Sequence, residues 1–197
     1  MNQKIATKVM VRSALLGAAS TVLMQFNIRL PIFPGFLQLD IGDLPAVVGA
    51  ITTGPLTGFL TILIKNLLDP LIFGTTTGGI GNFANFVMGV SLVLPLGLIF
   101  KKYKSNKGYL LGSVVGLISL VISASIMNYF VLLPLFTRIF MPMETIIYIA
   151  NEVNSSVTNV PTLILFAIVP FNLLKGTLVL AVGYIIFRTL RPMLKKL

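Results

Sequence analysis

The sequence predicts an all-α, polytopic membrane protein, and three observations carry that expectation. Hydrophobic residues make up 56% of the 197 positions and charged residues only 10%, against roughly 25% charged in a soluble domain. Uncharged runs reach thirty residues, as over 108–137, where a spanning helix needs about 20. The basic residues are also grouped as they are beside membrane spans. Lys4, Lys8 and Arg12 open the chain, Lys101, Lys102, Lys104 and Lys107 sit in one run, and Arg188, Arg191, Lys195 and Lys196 close it. All five acids (Asp40, Asp43, Asp69, Glu144, Glu152) lie between these clusters. Such clusters mark the cytoplasmic side.

The expected architecture is a single transmembrane domain over 1–197, with six helices and both termini cytoplasmic. The first helix is 10–28. It follows a basic start and ends in Asn27, Ile28 and Arg29 with no small-x-small cleavage site, so it reads as a span and not a signal peptide. The region 43–73 is broken at Thr52-Thr53-Gly54-Pro55, a turn followed by a proline suited to a first helical turn. Asp43, with Pro45 close behind, is placed to cap one short helix, 43–53. Asp69-Pro70 is placed to end the next, 55–69. At about 1.5 Å per residue these are roughly 16 and 22 Å long. The remaining helices are 80–100, 108–136 and 160–188. Parity supports the count, because a cytoplasmic N-terminus and a cytoplasmic 101–107 loop need an even number of crossings between them. The outer segments 29–42, 70–79 and 138–161 are rich in turn residues and long enough to act as lids.

Ionisable and amide residues inside spans are costly and usually functional. Lys175 lies near the middle of the last span, about 18 Å from its cytoplasmic end and too deep to snorkel. Asn172, three residues earlier, shares its face. Asn128 and Tyr129 lie in the outer part of the fifth helix, and Asn82 and Asn85 near the outer start of the fourth. Lys65 and Asp69, spaced i,i+4, are placed to pair with each other. The polarity gathers at outward-facing depths, the layout of a ligand pocket that opens outside. The phenylalanines Phe33, Phe36, Phe73, Phe130 and Phe136 read as packing anchors. On the first helix, Ala14-x-x-x-Ala18 is a small-xxx-small pattern that allows close helix approach.

Several function classes are excluded. The chain has no cysteine and no histidine, which removes disulfides, Cys-ligated zinc and His-based acid–base chemistry. No G-x-x-x-x-G-K-[ST] is present, so the chain carries no P-loop ATPase. No close Asp dyad appears, so no catalytic residue, metal site or cofactor is expected, and no soluble basic face is available for nucleic acid. With no internal repeat, an inverted-repeat carrier is disfavoured. A self-sufficient secondary transporter would also need polar residues reaching both sides, and the inner halves are almost purely apolar.

The run Phe36-Leu37-Gln38-Leu39-Asp40-Ile41-Gly42-Asp43-Leu44-Pro45-Ala46 resembles the F-L-x-L-D-x-x-D-x-P stretch of S-components of energy-coupling factor (ECF) transporters. Gly54-Pro55-Leu56-Thr57-Gly58 and Ile64-Lys65-Asn66-Leu67-Leu68 fit the same family. Met127-Asn128-Tyr129-Phe130 and Pro170-Phe171-Asn172-Leu173-Leu174-Lys175-Gly176 point to its riboflavin-specific branch. The resemblance implies a prokaryotic cell-membrane subunit, not an enzyme, that captures riboflavin outside. It implies docking on a transmembrane coupling subunit driven by two ATPase subunits. It places the docking motif on Ala14 and Ala18, and flavin contacts on Gln38, Leu39, Thr77, Asn128, Asn172 and Lys175. Flavin mononucleotide or another vitamin is the alternative ligand. The 138–161 segment is longer than the resemblance leads one to expect.

Overall fold

The computed structural model describes residues 3–194, so Lys195 and Lys196 of the closing basic cluster lie outside the described residues. Helix α1 (Gln3–Gln25) leads into a short antiparallel hairpin, β1 (Ile28–Arg29) with β2 (Gln38–Leu39), in which Ile28 faces Leu39 and Arg29 faces Gln38. Then follow α2 (Leu44–Thr52), α3 (Pro55–Ile72), α4 (Ile80–Tyr103) and α5 (Asn106–Met127). A π turn (Asn128–Leu132) joins α5 to α6 (Leu133–Ile139). Helix α7 (Met143–Val153) precedes α8 (Val160–Leu163), and a second π turn (Ile164–Ile168) leads into α9 (Val169–Leu194).

Four helical stretches among the described residues are long and apolar enough to cross a membrane: Pro55–Ile72, Ile80–Tyr103, Asn106–Ile139 and Val160–Thr189. Their outward faces are apolar as well. Leu110, Val114, Ile118, Ile122 and Ile126 form an i,i+4 stripe along α5, and each is more than half exposed. In water that stripe would be polar, so the bilayer is its solvent.

Inside, helices approach closely where the sequence supplies glycine. A Cβ on Gly17 of α1 would fall 2.5 Å from Ile64 of α3, and one on Gly116 of α5 would fall 2.5 Å from the Leu92 carbonyl oxygen of α4. The α2–α3 turn needs Gly54, whose φ of 130° is closed to ordinary side chains. Arg12 of α1 donates to Thr53 Oγ1 at 2.8 Å, which ties the basic end of α1 to that turn. The inner core gathers Val47, Ile62, Leu92, Leu96, Tyr109 and Phe187, with Tyr109 and Phe187 stacked at 5.3 Å.

Several expected boundaries shift. The first helix ends at Gln25, and Ile28, taken as helical, is in β1. Pro70 does not stop α3, which continues to Ile72. A proline in the last turn removes one backbone donor, and too little helix remains beyond it for a kink to matter. Asp43 occupies the N-cap position of α2, yet its side chain does not cap, because a buried ammonium competes for the carboxylate. The segment 138–161, expected as an outer lid, contains α7, packed through Ile146 and Ala150 onto Leu133, Val157, Leu163 and Ala167.

Candidate functional site

Three polar networks within the apolar bundle share one face of α4. Asn82, Asn85 and Gly89 are spaced i, i+3 and i+7, so they line a single stripe. At its N-terminal end, Asp69 of α3 accepts Nδ2 of Asn82 at 2.6 Å and Nε2 of Gln25 from α1 at 2.5 Å. Further down, Asn85 Oδ1 lies 3.4 Å from Lys175 Nζ of α9, which in turn sits 2.6 Å from Asp40 Oδ2. Next to Gly89, where a Cβ would come within 3.1 Å of Asp43 Oδ1, Asp43 pairs with Lys65 Nζ of α3 at 2.6 Å. Lys65 therefore does not pair with Asp69, its i+4 neighbour. The carboxylate that meets it comes from the loop before α2, and Asp69 is satisfied by two amides instead.

The segment 40–43 is thus fastened twice, by Asp40 to α9 and by Asp43 to α3. Ionisable groups this deep require such partners, since an unpaired charge in a low-dielectric interior is expensive. Gly42 N–H also donates to Asp40 Oδ1 at 2.8 Å, so both carboxylate oxygens are held. Burial pushes the Asp40 carboxyl up, but Lys175 beside it and Lys65 farther off outweigh that, and its pKa lies below the usual 3.8. Within these two pairs the two carboxylates and two ammoniums balance, while Asp69, farther along the α4 stripe, is a third carboxylate held by amides.

The expected site residues fall into three groups. Gln38 and Leu39 form β2 and immediately precede Asp40, so the Asp40–Lys175 pair holds them beside α9. Asn172 is buried one turn before Lys175 and donates Nδ2 to the Ile168 carbonyl at 2.8 Å. Phe33, from the hairpin loop, packs edge-on against the neighbouring Phe171 at 5.4 Å. Asn128 opens the first π turn and donates to the Ala124 carbonyl at 2.8 Å. Ala124 and Ile168, whose carbonyls these two amides engage, belong to one apolar cluster, which brings Asn128 and Asn172 into one region. π turns are rare and recur at functional sites. Thr77 is the member the structure leaves apart: its hydroxyl accepts from Gly81 N–H at 3.1 Å, at the start of α4.

Asp40, Asp43, Asn85 and Gln25 complete the networks; none was among the expected flavin contacts, although Asn85 belonged to the polar layout expected of the pocket. A signal for the two aspartates existed. Lys65 and Lys175 are buried cations outside the basic clusters, and each needed an acid from the few in the sequence. On α1, Ala14 and Ala18 are exposed, while Ser13, Gly17, Ser20 and Thr21 face inward. An apolar groove of about 230 Å³ lined by Val114, Leu117, Ile118, Val121, Ile122 and Leu173 lies on the membrane-facing side and offers no polar side chain.

Comparison with known proteins locates this architecture. The family model described as ECF transporter, substrate-specific component, matches residues 8–187. The chain is 32% identical to the riboflavin transporter FmnP of Bacillus subtilis, over 96% of this chain and 95% of that one. It is 34% identical to the riboflavin transporter RibU of Staphylococcus aureus, over 96% and 94%. A solved structure, described as that of the S component of a bacterial ECF transporter, superposes with a TM-score of 0.74. That chain is 31% identical, and the match covers 96% of this chain and 99% of that one.

Proposed function

The chain belongs to the family of substrate-specific components of ECF transporters, and on that premise we propose that it is a riboflavin-capturing subunit. The observation that carries this reading is the end-to-end similarity to relatives named riboflavin transporters, at 32% and 34% identity. The chemistry suits the ligand. Riboflavin presents ring carbonyls and nitrogens on a flat apolar body and hydroxyls along its ribityl chain, and Asn128, Asn172, Lys175 and the Gln38–Leu39 strand supply donors among apolar side chains.

In this reading the bundle crosses the membrane six times, through α1, α2, α3, α4, the α5–α6 helix and the α8–α9 helix, with both termini cytoplasmic. Supporting this, the Arg12–Thr53 bond puts the α2–α3 turn at the basic end of α1. The paired acids and lysines then lie toward the outside, under the hairpin and α7. The exposed Ala14 and Ala18 offer a shallow groove to a transmembrane coupling subunit, which two ATPase subunits energise.

Titration of the purified chain alone with riboflavin tests the capture reading. Saturable binding without ATP or partners is expected, and its absence overturns the reading. Asn172→Leu and Lys175→Leu should each weaken binding by about 5–150-fold, the loss of one buried hydrogen bond at about 1–3 kcal/mol. Unchanged curves for both would remove these two residues from the site.

A further inference from the structure

The two buried ion pairs differ in what can reach them. The Lys65 side chain is fully buried at 0% exposure, whereas Lys175 keeps 11% of its side chain exposed. Lys175 also lies one turn from Asn172, and its carboxylate partner directly follows Gln38 and Leu39. The Asp43–Lys65 pair is therefore a staple inside the fold, and the Asp40–Lys175 pair stands at the edge of the proposed binding region. Its ammonium is already paired in charge, with one N–H left over for a ligand. It meets Asp40 Oδ2 at 2.6 Å and Asn85 Oδ1 at 3.4 Å, and Gly42 N–H locks the other Asp40 oxygen at 2.8 Å.

We propose that Asp40 is a specificity-determining positioning residue: by holding Lys175 in an ion pair, it presents a neutral site that selects the unphosphorylated flavin over its 5′-phosphate. The inference rests on the riboflavin reading above. A phosphomonoester brings about −1.5 to −2 charges at neutral pH, and shedding its water is costly unless a cation replaces it. Lys175 is the cation the site holds, and Asp40 keeps it occupied. Discrimination then comes from withheld attraction and from the repulsion of a fixed carboxylate, the repulsive half of a specific interface.

The test is the ratio of the two dissociation constants, riboflavin against riboflavin 5′-phosphate, measured by titration of the full-length chain and its variants. The parent should favour riboflavin. Asp40→Asn unmasks Lys175 and should shift the ratio toward the phosphate by about tenfold or more. Lys175→Gln leaves Asp40 unpaired and should shift it the other way, and the double variant should return it near the parent value. A purely structural Asp40 would weaken both flavins in parallel, so an unchanged ratio in a folded Asp40→Asn overturns the proposal. Should that variant lose its fold or all flavin binding, Lys175→Gln decides, and a ratio that stays put or moves toward the phosphate overturns it. A parent that binds neither flavin removes the riboflavin reading and this inference together. A parent that binds riboflavin while the variants keep its ratio removes the inference alone.

Discussion

Removing one partner of the Asp43–Lys65 pair should be far worse than removing both. The two atoms are 2.6 Å apart, with side-chain exposures of 0% for Lys65 and 6% for Asp43. Lys65→Met leaves the carboxylate with no cation, packed against Gly89 of α4 and shut off from water. Breaking a buried pair from one side costs about 3–5 kcal/mol. For a chain of this size each kcal/mol moves the melting midpoint by about 2–4 °C, so a drop of about 10 °C is expected. Asp43→Asn should cost a comparable amount, since it strands the ammonium. The double variant Asp43→Asn/Lys65→Met buries no unpaired charge and should be destabilised by at least about 2 kcal/mol less than the summed singles. Circular dichroism of the helices during heating in detergent suits the measurement, because the chain contains no tryptophan to report by fluorescence. Single variants that melt within 2 °C of the parent, by the same conversion, would refute the claim that this pair fastens the loop to α3. So would a double variant no better than additive.

Three further outcomes are expected. Ala14→Trp and Ala18→Trp, on the exposed face of α1, should keep riboflavin binding but lose co-purification with the coupling subunit and uptake in cells; joint loss of binding and uptake would make these alanines part of the fold. The chain has no native cysteine, so single cysteines at Ser105 and Ser155 can be labelled cleanly. They should react from opposite sides of intact cells, and labelling of both from outside would refute the topology. For pH, Asp40 has a folded pKa below the usual 3.8, so its stabilisation is present above the unfolded value and lost as pH falls through the folded one. Melting midpoints should therefore be insensitive to this group from about pH 5 to 8 and drop in acid below it. Asp40→Asn should start lower and show a shallower acid limb, and parallel limbs would show that Asp40 is not the group responsible.

Long spans were legible because an uncharged run of twenty or more residues has few other fates. Short elements were not. The eleven residues of α7 read as loop because Glu144 and Glu152 mark the segment as polar, and its buried Ile146 and Ala150 are too few to set a helical period. The hairpin of Ile28–Arg29 with Gln38–Leu39 offers two residues per strand, below what alternation can reveal. For the site, Asn172 and Lys175 stood out because a polar residue inside a span is conspicuous by itself. Their partners were hidden by distance along the chain. Asp40 lies 135 residues from Lys175, and no local spacing joins them. The i,i+4 rule pointed Lys65 at Asp69 because it sees only one helix; the tertiary fold brought a closer, better buried carboxylate from the loop.

The two π turns also carry a consequence for how this protein tolerates change in length. Each widens a helix by bonding one residue further along, Leu133 N–H to the Asn128 carbonyl and Val169 N–H to that of Ile164. An extra residue held in this way advances the rest of the helix by about 100° of rotation. The halves of each long helix are therefore set in independent phase. The α5 and α9 portions are keyed to the glycine contacts of the bundle, and α6 and α8 to the small cluster beneath α7. Gaining or losing a single residue at 129–132 or 164–168 turns α6 or α8 against the rest of its helix, while Asn128 stays with α5 and Asn172 with α9. These two positions act as vernier adjustments, at which the packing beneath α7 can be retuned without moving the helices that carry the two amides.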